Sequence, residues 1–284
     1  MYPKIKSTFY VKGVAGGYFV FDLDTFAEYP LNDVQTEVLG SCTGTNSIDE
    51  IGRKHNLLSS DVAGFLGEMV KLGCVEYASI PVRHGVVNLS TAVAPYLHEA
   101  HFDSTTGCNL HCLTCYQEPY LYKTSATDLS STEVKVLLRQ LTKLGVARFI
   151  LSGGEPFLRR DIEEIIVSAF AGGIAVQTIF TNGTVHRFDV VRTICALGRP
   201  ITFAISLDGS SPNENDYIRG AGRFKQTIQF IEHLLAERGE SISRPRIVID
   251  TVIHPRNFRS LRSMYELLSR LGVDRWRVAL PRNQ

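Results

Sequence analysis

The chain lacks three features that would direct it to a membrane, to export or to nucleic acid. No apolar run in its 284 residues approaches the roughly 18 residues needed to span a bilayer. The N-terminus, MYPKIKSTFYVKG, has neither a continuous apolar stretch nor a small-residue cleavage site, so it does not resemble a secretory signal. The chain also lacks an excess of positive charge. Its net charge of +1 creates no electrostatic field that would attract a polyanion. We expect a cytoplasmic protein without membrane or nucleic-acid partners.

The chain has few cysteines, and half of them lie far from any other cysteine in the sequence. The chain has six cysteines, three of which stand alone among apolar neighbours, at Cys42, Cys74 and Cys195. In a reducing compartment we interpret these as small buried hydrophobes. The other three lie together in CNLHCLTC, at Cys108, Cys112 and Cys115. Soft thiolates at that spacing indicate a metal site, either zinc or an iron–sulfur cluster.

The number of ligands bears on these two alternatives. A structural zinc site needs a fourth ligand, but His111 is badly placed to share a metal with its neighbour Cys112, and no second C-x-x-C pair exists. A four-iron cluster usually takes four thiolates, so three would leave one iron open to a small molecule. The cysteines by themselves leave both metals open.

Beyond the cysteines, helical and strand patterns alternate. Ser130 and Glu133 predict a capping box, and an apolar stripe of helical period follows, at Val134, Leu137, Leu138 and Leu141. Further helices are predicted in DIEEIIVSAFAGG, VVRTICALG, RFKQTIQFIEHLLAERG and NFRSLRSMYELLSRLG, and strands in EAHFDSTTGC, ARFILSGGEP, IAVQTIFTNGT, PITFAISLDG, RIVIDTVIHP and DRWRVAL. This alternation through short loops predicts six parallel strands joined by right-handed crossovers.

The unusual motifs follow the predicted strands. The cysteines come after the first strand, residues 153–156 after the second, residues 181–183 after the third, and Ser206 with Asp208 after the fourth. In parallel α/β folds, reactive groups lie at the carboxyl ends of the strands. A single glycine pair would indicate only a tight turn, but the recurrence of such motifs at one edge favours a shared site.

From roughly residue 99 to residue 284, the chain resembles a radical S-adenosylmethionine (SAM) enzyme. The resemblance is carried by CNLHCLTC, SGGEP, FTNG, and ISLDG followed by YIRG. It implies a partial (βα)6 barrel in which Cys108, Cys112 and Cys115 bind a 4Fe–4S cluster whose free iron is chelated by SAM. It also implies an electron donor of low potential, such as flavodoxin or ferredoxin. Reductive cleavage of SAM then gives a 5′-deoxyadenosyl radical that abstracts hydrogen from a substrate.

The resemblance also implies cofactor contacts. The stretch that binds the methionine amino group corresponds to Gly153, Gly154, Glu155 and Pro156. Ser206 and Arg219 are candidate partners for the ribose or the carboxylate, and Asn182 of FTNG is a further candidate. The family often has an aromatic residue just before the third cysteine, where this chain has Thr114. The aromatic candidate here is Tyr116, on the other side of that cysteine.

The first 80 residues predict a small winged helix-turn-helix domain, joined by a linker of residues 81–98 to a barrel of residues 99–284. A hairpin-like GGYFVFDLDTFAEY precedes helices in LNDVQTEVLGSC, SIDEIGRKHN and SSDVAGFLGEMVKLG, and CVEYASI follows as a strand. The second helix has a capping box from Ser47 to Glu50. The third has one apolar face, made of Val62, Phe65, Leu66, Met69 and Val70. DNA binding is disfavoured, because residues 1–80 hold six Lys/Arg against ten Asp/Glu.

The same stretch, from PLNDVQTEVLGSC to LGCVEY, is similar to the leader-peptide recognition element of ribosomal peptide maturases. Such elements hold a leader as an added strand against the wing, which raises the local concentration of the core peptide at the barrel. We therefore expect the radical to act on a ribosomally made precursor peptide. Two alternatives stay open. One is a radical SAM enzyme that acts on a small-molecule cofactor or tetrapyrrole precursor, and the other is an iron–sulfur redox-sensing regulator.

Overall fold

The computed structural model describes residues 1–14, 17–82, 97–115, 117–121, 128–241 and 243–280. The chain divides into two compact units. The first comprises Met1–Glu99, Leu138–Ala147 and Gly172–Ala175, and the second comprises Ala100–Leu137, Arg148–Ala171 and Val176–Gln284. The domain boundaries at residues 80 and 98 stay predictions, because residues 83–96 of the predicted linker lie outside the described residues. Within the described residues, no helix has the length and apolar character required to cross a membrane.

The first unit combines two small antiparallel sheets with three helices. Its strands are β1 (Tyr2–Ile5), β2 (Phe9–Val14), β3 (Gly17–Asp22), β4 (Glu28–Leu31) and β5 (Val75–Ala78), and its helices are α1 (Asp33–Gly40), α2 (Ile48–His55) and α3 (Ser59–Lys71). Strands β2, β3 and β4 form one sheet, and β1 pairs with β5. The hairpin predicted in GGYFVFDLDTFAEY is confirmed as β3 and β4, whereas β1 and β2 have no counterpart in the sequence-based prediction.

Capping and apolar periodicity explain the helices of this unit. The capping box predicted at Ser47 and Glu50 is confirmed at the start of α2, where each side chain accepts a hydrogen bond from the other residue's backbone N–H. Helix α3 buries three of its predicted apolar residues, Val62, Leu66 and Met69. The prediction for Val70 is wrong, since this residue is 39% exposed. One residue along a helix turns the side chain by about 100°, which takes Val70 away from the face of Met69.

A six-stranded parallel sheet follows. Its strands are β6 (Glu99–Asp103), β7 (Arg148–Ser152), β8 (Ala175–Thr181), β9 (Thr202–Ser206), β10 (Arg246–Val252) and β11 (Arg275–Ala279). Their order in the sheet, β11-β10-β9-β8-β7-β6, follows the chain, and the recorded pairs from β8 to β11 are parallel. Strands β6 and β11 are the two edges of the sheet among the described residues, so this part of the fold does not close into a full barrel.

The helices alternate with these strands, as the sequence predicts, with one addition. They are α4 (Ser131–Lys143), α5 (Ile162–Ala171), α6 (Phe188–Ala196), α7 (Pro212–Arg219), α8 (Arg223–Glu237) and α9 (Leu261–Leu271). The capping box at Ser130 and Glu133 is confirmed at the start of α4. The additional helix is α7, whose sequence PNENDYIR is short and polar and therefore shows no apolar period.

The six-stranded sheet has an apolar face and a polar face. The rings of Phe203 in β9 and Phe230 in α8 pack with centroids 6.5 Å apart on the apolar face, between the sheet and a helix. Because side chains alternate along a strand, other residues point away from the helices. They include the polar residues Thr178, Ser206, Asp250 and Arg277 together with Phe180, Ala204 and Val248, and we call their surface the polar face. Parallel sheets are usually covered on both sides by apolar layers, so a polar face indicates a cleft for a ligand.

Candidate functional site

The three cysteines of CNLHCLTC lie in the segment between β6 and α4, which we call the cysteine segment (residues 104–115). Each cysteine is partly buried, and the thiols of Cys108 and Cys115 are close enough to Cys112 to affect its pKa. Among the described residues, no three His, Cys, Asp or Glu side chains converge on the position of a single ion. Three partly buried thiols in one short segment are soft ligands of the kind that an iron–sulfur cluster takes.

Glycines of the SGGEP motif pack directly on the cysteine segment. The N–H of Gly154 donates to the carbonyl of Thr105 (2.8 Å), and the N–H of Glu155 donates to the carbonyl of Gly107 (2.8 Å). A Cβ on Gly154 would lie only 2.0 Å from the Gly107 oxygen. Gly153 has a φ of +122°, a conformation that favours glycine. The motif thus needs glycine because its backbone packs against the backbone next to Cys108. This requirement is independent of any contact with a ligand.

We expect Gly154→Ala to destabilise the fold by about 1–3 kcal/mol, the usual cost of overpacking, because the new methyl group collides with a backbone carbonyl. The matched control is Gly64→Ala in α3, where a Cβ would meet nothing within 4 Å. That change should instead stabilise the protein by about 0.5–1 kcal/mol, since alanine favours a helix over glycine. Urea unfolding of the cluster-free proteins measures both effects. A Gly154→Ala variant as stable as the wild type would contradict the close contact.

The carboxylate of Glu155 joins the ends of β7 and β8. It is fully buried and accepts hydrogen bonds from Oγ1 of Thr181 (2.9 Å) and from the backbone N–H groups of Asn182 (2.7 Å) and Phe157 (3.1 Å). Burial raises the pKa of this carboxyl to about 7, although the three donors act in the opposite direction. Glu155 therefore fixes the FTNG turn relative to the SGGEP turn.

Asn182 links the FTNG turn to the cysteine segment. Its Nδ2 donates to Oδ1 of Asn109 (2.9 Å) and lies 4.0 Å from Sγ of Cys108. Its Oδ1 accepts from the backbone N–H of Thr184 (2.8 Å), and Thr184 Oγ1 accepts from Asn109 (2.9 Å). The network places an amide donor beside one predicted cluster ligand, and hydrogen bonds to sulfur are among the factors that set the potential of such clusters.

A buried ion pair approaches the cysteine segment from the end of β9. Nε of Arg219, the last residue of α7, lies 2.7 Å from Oδ2 of Asp208, and both side chains are buried. Nη1 of Arg219 lies 3.9 Å from Sγ of Cys112. The carbonyl of Ile218 accepts a hydrogen bond from the N–H of Leu113 (2.9 Å). Helix α7 thus anchors the cysteine segment and brings a positive charge to Cys112.

Burial determines the protonation of the thiols. It raises the pKa of Cys112 to about 11, with Arg219 acting in the opposite direction, and it also raises the pKa of Cys108. Nucleophilic cysteines instead have a lowered pKa. Binding of a metal cluster would remove the protons from these thiols. The isolated cysteines are buried, as predicted, at Cys42, Cys74 and Cys195.

The structure brings many of the predicted site residues to the cysteine segment. Residues 153–156, Asn182 and Arg219 all lie in turns or helix ends that contact it or its immediate neighbours. Ser206 lies at the end of β9 on the polar face, in register with Asp250. Tyr116 lies outside the described residues. Asn109 was not predicted as a site residue, although it lies between Cys108 and Cys112 within CNLHCLTC.

The sequence model of the family described as the Radical SAM superfamily matches residues 103–268. The matched span begins at the end of β6 and includes the cysteine segment and the turns after β7, β8 and β9. It therefore contains every element that contributes a contact to the site described above.

Two relatives share the same level of identity but differ in name. The chain is 30% identical over 178 residues to the AdoMet-dependent heme synthase of Methanosarcina barkeri (strain Fusaro / DSM 804), a match that covers 62% of this chain and 48% of that protein. It is 30% identical over 172 residues to the mycofactocin maturase MftC of Mycobacterium tuberculosis (strain CDC 1551 / Oshkosh), covering 61% and 42%. The chain spans about half the length of the curated relatives it matches.

A solved structure reproduces the fold over nearly all of the chain. Streptococcus suis SuiB bound to precursor peptide SuiA matches 99% of this chain and 63% of that chain, with a TM-score of 0.72 and 16% sequence identity. At this identity the similarity shows the fold alone.

Proposed function

Since the chain belongs to the radical SAM superfamily, we propose that it is a radical enzyme that modifies a ribosomally made precursor peptide. Its cofactors are a 4Fe–4S cluster and SAM. When bound, they supply a 5′-deoxyadenosyl radical that abstracts hydrogen from the substrate. The role of the protein is to hold these groups, to orient the substrate and to exclude water. The electron that reduces the cluster comes from a donor of low potential such as flavodoxin or ferredoxin.

Within this proposal, the cysteine segment holds the cluster. Cys108, Cys112 and Cys115 are the three iron ligands, and the iron without a protein ligand is left for SAM. Asn182 and Arg219 present N–H groups toward Cys108 and Cys112, at 4.0 and 3.9 Å from the sulfurs. These donors stabilise the thiolate form of ligands whose burial alone favours the thiol.

SAM is assigned to the turns that surround the cysteine segment. The proposed contacts are Gly153, Gly154, Glu155, Pro156, Asn182, Ser206, Arg219 and, outside the described residues, Tyr116. Glu155 and Asn182 hold the FTNG and SGGEP turns in place through buried hydrogen bonds. We assign these two side chains to positioning the turns, whose backbone then faces the cofactor.

The observation that carries the peptide proposal is an open strand edge in the first unit, on the strand that the sequence predicts as the wing. Among the described residues, β5 pairs with a strand on one side only, β1. The N–H of Lys6 donates to the carbonyl of Cys74 (2.9 Å). Because backbone groups alternate between the two sides of a strand, the N–H and C=O groups of Val75 and Tyr77 then point away from β1. An extended leader can add to this edge by backbone hydrogen bonds.

A second edge in the same unit, that of β4, is less suited to strand addition. Pro30 of β4 lies opposite Phe19 of β3. Because the N–H of Asp22 donates to the carbonyl of Ala27 (2.9 Å), alternation places the nitrogen of Pro30 on the outer side of β4, where proline offers no donor. The leader is therefore assigned to β5, which lies in residues 1–80, where ten Asp/Glu against six Lys/Arg do not favour nucleic acid.

To test this, the reconstituted, reduced 284-residue chain is incubated with SAM and with a short peptide encoded by a neighbouring reading frame. We expect 5′-deoxyadenosine and a change in the mass of the peptide. Tyr77→Pro should weaken leader binding about tenfold, since it removes an outward N–H worth roughly 1–1.5 kcal/mol, and it should leave SAM cleavage without peptide unchanged. Fluorescence anisotropy of a labelled leader measures the binding.

The matched control is Tyr77→Ala, which removes the side chain but keeps the backbone donor. Equal leader affinity for Tyr77→Pro and Tyr77→Ala would contradict the role of the β5 edge. Formation of 5′-deoxyadenosine without any change in the peptide would instead reject the peptide as substrate.

In that second case the small-molecule function becomes the better candidate. It is supported by the relative named heme synthase, which is as similar to this chain as the maturase. In that function the substrate is a tetrapyrrole or another cofactor precursor. Membership of an enzyme superfamily favours both of these functions over a redox-sensing regulator.

A further inference from the structure

An ion pair on the polar face of the sheet is not used by the contacts described so far. Nε of Arg277 in β11 donates to Oδ1 of Asp250 in β10 (2.6 Å), and Nη2 donates to Oδ2 (2.7 Å). The Arg277 side chain is 45% exposed and that of Asp250 is 27% exposed. Two parallel hydrogen bonds fix the plane of the guanidinium, so it is held rigidly at a surface that a ligand can reach.

The geometry of this pair leaves one edge of the guanidinium available. Asp250 occupies the side formed by Nε and Nη2, and no further hydrogen bond of Arg277 occurs within the described residues. Nη1 keeps its two N–H groups, and Nη2 keeps one. These donors form the end-on fork of the guanidinium, whose spacing matches the two oxygens of a carboxylate.

The residues around the ion pair form a surface that a ligand could contact. The Arg277 guanidinium lies 5.7 Å from the ring centroid of Phe180 in β8, so the side chain reaches across the intervening strands. Ala204 in β9 is in register with Phe180, and its small side chain leaves room for this crossing. Ser206 is in register with Asp250. Together they offer a charged fork, an aromatic ring and a hydroxyl on one surface.

The surface formed by Arg277, Phe180 and Ser206 is linked to the cysteine segment through neighbouring residues. The carbonyl of Asp250 accepts a hydrogen bond from the N–H of Leu207 (3.0 Å), and the next residue, Asp208, pairs with the arginine that contacts Cys112. Ser206 and Asp208 are two residues apart, which is about 6.6 Å along an extended chain. A group bound at Arg277 would therefore lie beside Asp250 and Ser206, the strand residues next to the turn whose Asp208 pairs with Arg219.

We propose that Arg277, held in place by Asp250, binds a carboxylate of the substrate and thereby orients the substrate on the polar face. This inference rests on the proposed radical chemistry and specifies the substrate as anionic at that contact. The same carboxylate chemistry occurs in an acidic side chain of a precursor peptide and in a propionate of a tetrapyrrole, so the test has one arm for each.

The experiment measures equilibrium binding to the cluster-loaded 284-residue chain, without turnover. One arm uses the precursor peptide and a copy in which each Asp and Glu of its core is replaced by Asn or Gln. The other arm uses iron coproporphyrin III and its methyl ester. In the arm that contains the true substrate class, Arg277→Gln should weaken binding of the acidic probe roughly 10- to 100-fold, the value of a charged, bidentate contact. Binding of the neutral probe should not change.

Two variants keep the result interpretable. Arg262→Gln removes an arginine from an exposed ion pair with Glu266 in α9, away from the polar face, and should change no affinity. The double variant Asp250→Asn with Arg277→Gln avoids leaving a carboxylate unpaired and should lose the same affinity as the single variant. Circular dichroism checks that each variant is folded.

Three results would overturn the proposal: unchanged affinity of Arg277→Gln for both acidic probes, no preference of the wild type for an acidic probe over its neutral copy in either arm, or weakened binding of SAM by Arg277→Gln. The last would assign the arginine to the cofactor. A failure to form 5′-deoxyadenosine would reject the radical function, and it is measured separately from these affinities.

Discussion

Replacing Cys112 by alanine is expected to abolish cluster assembly. The wild-type chain, reconstituted anaerobically with iron and sulfide, should hold about four irons and four sulfides per chain. With one of three thiolates missing, two irons would lack a protein ligand, so the variant should retain almost none of this iron and form no 5′-deoxyadenosine. Colorimetric iron and sulfide analysis and the visible absorption spectrum measure the loss. Cys108→Ala and Cys115→Ala should behave in the same way.

The matched control for this prediction is Cys195→Ala. This residue is buried in α6, and burial raises the pKa of its thiol to about 11. Its replacement should keep the full iron content and lose only packing energy. Loss of iron from a folded Cys195→Ala variant, or stoichiometric zinc with no iron in the wild type, would contradict the assignment of the ligands.

Replacing Arg219 by methionine is expected to cost about 3–5 kcal/mol of unfolding free energy, because the change leaves the carboxylate of Asp208 buried without its cation. Burial tends to lower the pKa of Arg219, but the Asp208 carboxylate contributes to raising it above its ordinary value, so the native guanidinium is charged. The variant should also loosen the cysteine segment, since Arg219 approaches Cys112. Urea unfolding of the cluster-free protein gives the free energy.

The double variant Asp208→Asn with Arg219→Met separates the ion pair from the packing. It should recover most of the loss if the unpaired carboxylate is the cause. A double variant as unstable as Arg219→Met alone would show that packing around the arginine, and not the buried charge, accounts for the effect.

The alternation of helices and strands could be predicted from the sequence because its signals are local. The capping boxes at Ser47 and at Ser130 each lie within four residues, and the segments that form β7 to β10 are short, rich in apolar and β-branched residues, and bounded by turn residues. The cysteine ligands are equally local. Their spacing is readable without knowledge of any other part of the chain.

The contacts that could not be predicted from the sequence join residues that are far apart along the chain. Lys12 lies in β2, where a buried lysine breaks the apolar pattern, and its Nζ donates to the carbonyl of Val146 (3.2 Å). In the same way, the sequence predicts only a turn at Gly154, and the close contact of this residue with the Gly107 carbonyl is visible only in the folded chain. The pairing of Arg277 with Asp250 likewise appears only when β10 and β11 lie side by side.

The contact between Arg219 and Cys112 has a consequence for synthesis of the protein. The two residues are 107 positions apart, and translation adds about 5–20 residues per second, so the ribosome makes the cysteine on the order of 5–20 s before its arginine neighbour. During that interval the nascent thiols are open to oxidants, which convert exposed cysteines to sulfenic acid or disulfides. The yield of active enzyme should therefore depend on how reducing the cell is while the chain is being made, and not only on the supply of iron afterwards.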